Sequence, residues 1–136
     1  MSIDQDIIKE INKTTAQGFK SYPIRTLVEQ SEQFGYFLKN SRLETNQIRK
    51  FLDAINRVKV KLNQDKDDEQ IFNDIEPEIV LLKPKLAYAA ARQRSAKPLS
   101  DVMSIAIDNV KTVEDFKRLV QFVESIIAYH KSAGGK

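Results

Sequence analysis

The chain offers one histidine, His130, and no cysteine. A nucleophile with its base, or a metal held by several ligands, needs more than that. His130 makes no triad, and its place near an exposed C-terminus suits a partner of a helix dipole. Carboxylates gather between Asp65 and Glu78, where Asp65, Asp67, Asp68, Glu69, Asp74, Glu76 and Glu78 are opposed only by Lys66. An EF-hand calcium loop needs a central glycine among its spaced acids, and DKDDEQIFNDIE has none. The stretch reads instead as a solvated connector that opens a helix. The four glycines, at 18, 35, 134 and 135, sit in no phosphate-cradling motif, so nucleotide hydrolysis is not expected. No catalytic residue, no metal site and no cofactor is expected, and the chain does not read as an enzyme.

The bases carry more information than the net charge of +3. Lys83, Lys85, Arg92, Arg94 and Lys97 follow one another without an intervening acid. Between Arg42 and Lys61 there are six bases against Glu44 and Asp53. At 100° per residue on a helix, Lys50, Arg57 and Lys61 fall within about 40° of one another, with Arg49 beside them. Two basic zones therefore flank one acidic stretch. Such a stripe, joined to KPKLAYAAARQRSAK, suits a polyphosphate backbone, because several phosphate contacts release counterions together. The aromatic face of Tyr88 could stack on a base. Beside Leu86, Ala89, Ala90 and Ala91 it reads better as packed helix surface, where the small side chains admit another helix or a ligand.

Helices must position these groups. With 136 residues, four glycines and four prolines, one core is expected, burying roughly two-thirds of the unfolded chain's surface. In residues 1 to 23, Ile3, Ile7, Ile8 and Ile11 could form a short amphipathic helix, and TTAQGFKSYP reads as a loop closed by Pro23. Ile24, Leu27, Val28, Ser31, Phe34, Phe37 and Leu38 keep helical spacing to Asn40, with Gly35 a tolerated weakness. Thr45 is a plausible N-cap for a helix with Ile48, Phe51, Leu52, Ile55, Val58 and Leu62 on its apolar side. Pro77 fits a first helical turn, and Pro84, among strong helix formers, predicts a kink or break near Lys83. Beyond Pro98 a short helix carries Leu99, Val102, Met103, Ala106 and Val110. Thr112 and Asp115 form a capping box for a last helix from Val113 to beyond Tyr129.

The fold class is all-α: a single compact bundle of about five helices, one kinked or broken near Pro84. The expected organisation is an N-terminal extension over 1–23, weakly helical or loop, a helical bundle over 24–133 and a tail over 134–136. The acidic N-terminus and the lack of a long apolar run predict neither a signal peptide nor a membrane span, and the lack of cysteine fits the cytoplasm.

TNQIRKFLDAINRVK, followed about twenty residues later by IVLLKPKLAYAAARQR, resembles the small subunit of the type III-A CRISPR effector, the Csm complex. The second motif, an apolar pair followed by Lys-Pro-Lys-Leu-Ala-Tyr and a downstream Arg, is the more specific. The resemblance runs from about residue 24 to the C-terminus. It implies a non-catalytic α bundle that lines the inner face of the effector in several stacked copies, along the duplex of guide RNA and target RNA. Its partners would be those RNAs, the other effector subunits and further copies of itself. The basic positions inside the two motifs are Arg49, Lys50, Lys83, Lys85 and Arg92, the expected RNA contacts. Arg57, Arg94 and Lys97 lie beside the motifs and join them on charge alone. Grip on phosphates would leave sequence specificity to guide–target pairing. Two other readings are a helical adaptor that makes only protein contacts and a small helical enzyme, the latter disfavoured by the single histidine.

Overall fold

A computed structural model describes residues 2–14 and 17–136. Met1, Thr15 and Ala16, which belong to the expected N-terminal extension and its loop, lie outside the described residues. Among the described residues there is no strand, and seven α-helices follow in order: α1 Ile3–Lys13, α2 Ile24–Asn40, α3 Thr45–Lys59, α4 Asp68–Val80, α5 Leu82–Arg92, α6 Lys97–Asp108 and α7 Val113–Ser132. The chain is all-α, and α4 and α5 are the two halves of the element expected to break.

That break has a local cause. In a continuous helix the Pro84 ring would collide with the carbonyl of Val80, four residues back. α4 stops at Val80, and α5 resumes at Leu82. Pro77 lies inside α4 rather than in a first turn. The helix starts earlier than the Pro77 position implies, because the Asp67 side chain accepts a hydrogen bond from the Gln70 amide at 2.9 Å, and Asp68 and Glu69 favour the positive end of the helix dipole.

α7 is the central element: α2 makes the most extensive packing against it, and α3 and the turn at Phe19–Ser21 also rest on it. α6 packs against α1 and α5. Phe34, Leu38, Ile48, Ile55, Phe116, Val123 and Ile126 are fully excluded from solvent, each contributing roughly 1.5–3 kcal/mol by burial. Ile7 and Ile11 of α1 are likewise fully buried. Phe19, Tyr22 and Phe122 form an aromatic cluster with centroid separations of 5.5 to 5.8 Å. The Tyr22 hydroxyl, inside this cluster, donates to Gln30 Oε1.

Three single-residue readings are corrected by the packing. Gly35 is no mere weakness: a Cβ there would sit 2.7 Å from the His130 backbone nitrogen and 2.9 Å from Tyr129 Cβ, so its bare backbone sets how closely α2 meets α7. Thr45 is not the N-cap of α3. Glu44 takes that position without a side-chain cap, and the Thr45 hydroxyl is engaged by His130 at 3.1 Å. His130 is fully buried rather than near an exposed end. Its Nε2 donates to the Leu43 carbonyl at 2.6 Å, while its Nδ1 meets the Thr45 hydroxyl. The imidazole thereby ties α7 to the start of α3.

Candidate nucleic-acid interface

On the outer side of the bundle, α3 and α5 flank a groove of about 380 Å³. Phe51, Leu82 and Leu86, all buried, form part of its lining. With Ile48, Ile55 and Val58 of α3 turned into the core, Lys50, Asp53 and Arg57, roughly 130–170° round the helix at 100° per residue, line the groove. α5 contributes Lys85 to the same groove. Past Ala89 the groove continues into a second bay of about 430 Å³, lined by Gln47, Lys50, Tyr88, Arg92 and Gln93. Two helices separated by the whole acidic segment thus bring Lys50, Arg57, Lys85 and Arg92 to one depression, with Asp53 the acid among them. Among the described residues none of the four cations forms an ion pair.

The other expected positions stand apart from that lining. Lys83 donates to Asp108 of α6 at 2.5 Å, and Lys97 pairs with Asp101 one turn on at 3.1 Å. Such partly exposed pairs contribute only about 0–1 kcal/mol each, but they fix where the ammonium points. Lys61, at the end of the basic stripe, is held by Glu78 at 2.7 Å. Arg49 and Arg94 are exposed, and neither lines the groove.

Tyr88 is corrected from packed surface to exposed surface: 64% of it is accessible. α5 is anchored through Leu82 and Leu86, and Tyr88, two residues beyond Leu86, is turned away from that side. The Arg92 guanidinium lies 5.7 Å from the centre of its ring, within cation–π range. Gln47, which also lines the groove and the bay, carries no charge to mark it in the sequence. Its spacing of three residues from Lys50 is the signal that places both on one face.

Among the described residues no group of three or more His, Asp or Glu is arranged to hold a metal ion, and no helix is long and apolar enough to cross a membrane. What the fold and surface define, among the described residues, is a small all-helical protein with a basic groove between α3 and α5.

The chain belongs to the Csm2 family of type III-A CRISPR systems, whose family model matches residues 21–136. It is 29% identical over 99 residues to a Streptococcus thermophilus protein described as CRISPR system Cms protein Csm2, covering 71% of this chain and 78% of that relative. No solved structure matches. The chain is therefore a small subunit of a type III-A CRISPR complex.

Proposed function

We propose that this subunit is non-catalytic and grips the duplex of guide RNA and target RNA through its phosphates, in several copies stacked along the complex in the cytoplasm. The observation that carries the reading is the convergence of Lys50, Arg57, Lys85 and Arg92 on one groove without ion-pair partners. A cation already held by a carboxylate must give up that pair to bind a phosphate, whereas these four need not. Their chemistry is sequence-blind, since ammonium and guanidinium groups on phosphate oxygens carry no base information. That suits an assembly in which guide–target pairing supplies specificity. Arg49 and Arg94, exposed and unpaired, extend the grip beyond the groove, and Lys83 and Lys97 join it only by exchanging Asp108 and Asp101 for phosphate.

Contacts with other subunits and further copies would use leftover apolar surface. Ile24 and Val28 of α2, 49% and 38% exposed, border a shallow depression with Ala128 and Tyr129 of α7. This edge favours the second reading, an adaptor that makes only protein contacts. A salt titration separates the two. Native protein and a Lys50→Glu, Arg92→Glu double variant are titrated with labelled RNA duplexes of unrelated sequence at several salt concentrations. The phosphate grip predicts equal binding of all sequences, a loss of tenfold or more in the variant, and a salt slope shallower by about 2. Unchanged RNA binding in a variant that no longer assembles would favour the adaptor.

A further inference from the structure

A grip on phosphates accounts for the cations of the groove but not for the bay beyond Ala89. There an aromatic ring and two amides stand beside Lys50 and Arg92. Tyr88 keeps 64% of its surface accessible, although the Arg92 guanidinium is 5.7 Å from its ring centre. That contact steadies the ring and holds Arg92 beside the bay. The side-chain amides of Gln47 and Gln93 each offer donors and an acceptor. Neither amide has a hydrogen-bond partner among the described residues. A flat π surface, free donors and acceptors, and two cations within one bay of about 430 Å³ match the parts of one nucleotide: base face, base edge and flanking phosphates.

We infer that this bay takes a single unpaired nucleobase of an RNA strand, stacked on Tyr88, with its edge toward Gln47 and Gln93 and its phosphates on Lys50 and Arg92. The inference rests on the RNA-binding reading above and adds to it a preference for unstacked nucleotides that a phosphate grip alone does not have. It remains tolerant of sequence, because every base has a π face and a terminal amide can present either its oxygen or its nitrogen. A perfectly paired duplex keeps its bases within the stack and cannot fill the bay.

The test uses the full chain and three labelled RNAs: a single strand of about 12 nucleotides, the same strand with abasic residues so that the phosphates are equal in number, and the fully paired duplex. Native protein is compared with Tyr88→Ala and Tyr88→Phe, after circular dichroism confirms that all three are equally helical. Native protein should bind the base-bearing strand roughly tenfold more tightly than the abasic strand. Tyr88→Ala should erase that difference while leaving the salt slope unchanged, and Tyr88→Phe should keep it. Equal binding of base-bearing and abasic strands by native protein, or a preference that survives Tyr88→Ala, would overturn the stacking site. The phosphate reading would still stand if the Lys50→Glu, Arg92→Glu variant lost affinity for all three RNAs. A native protein that binds none of the RNAs, or that prefers an acidic peptide of equal charge, would overturn both.

Discussion

Asp115 is buried, yet its carboxylate is satisfied by backbone rather than by a cation. Oδ1 accepts from the Lys20 amide at 2.7 Å, and Oδ2 from Lys111 at 2.9 Å and Thr112 at 3.1 Å. The Thr112 hydroxyl in turn accepts from the Asp115 amide, completing the capping box legible in the sequence. The contact with Lys20 was not legible, because it joins residues 95 positions apart. Gly18 makes room for it: φ there is +85°, and a Cβ would sit 2.7 Å from Oδ1. Tyr22, in the same region, has a buried hydroxyl whose ionisation is disfavoured. Burial pushes its hydroxyl above the usual phenol range, with the Glu10 charge adding to the shift. A folded value above the unfolded one means that the stabilisation is complete below a pH of about 10 and is lost as pH rises beyond it. The denaturation midpoint of native protein should therefore fall steeply between about pH 9.5 and 12, and that of Tyr22→Phe less steeply. Parallel pH profiles for the two proteins would disprove the assignment.

At the level of elements, α2 and α7 are held close by a single missing methyl group. Alanine in place of a mid-helix glycine ordinarily stabilises by about 0.5–1 kcal/mol. At Gly35 the opposite is expected, because the added Cβ would meet the His130 backbone nitrogen at 2.7 Å. Gly35→Ala should lower stability by about 1–3 kcal/mol in urea denaturation, and any gain would mean that the two helices can part at little cost. The same helix pair shows how far periodicity reaches. The spacing of α2 predicts its span correctly, with Leu27, Ser31, Phe34 and Leu38 turned inward, but also puts Ile24 and Val28 on the apolar face, where they remain exposed. Periodicity gives the direction of a face; how much of that face a neighbour covers depends on where the neighbour ends.

For the molecule as a whole, α1 belongs to the core. Ile7 and Ile11 have no accessible surface, and α1 packs on α6, although the matched family range begins only at residue 21. An Ile7→Ala, Ile11→Ala double variant should lose about 4 kcal/mol or more, read as a lower melting temperature and increased binding of an apolar dye. A melting temperature within a degree or two of native would show that α1 can detach without cost to the bundle. The basic groove is also a property of the whole chain. α3 and α5 are separated in sequence by α4 and its acids, yet residues of both line the one groove.

The all-helical class, the break near Pro84, the capping box at Thr112 and Asp115, and the motifs of the family were legible without the fold. Each of these depends on residues within a few positions of one another: helical spacing, a missing amide, a side chain reaching its own helix end. Long-range packing set which of the eight expected RNA contacts lie together. Lys50, Arg57, Lys85 and Arg92 line one groove, whereas Lys83 and Lys97 are engaged by acids of α6. It likewise decided that Tyr88 faces solvent and that His130 and Gly35 are buried joints between helices. A side chain's burial and partners are set by the elements that pack over it, and those arrive from distant parts of the chain.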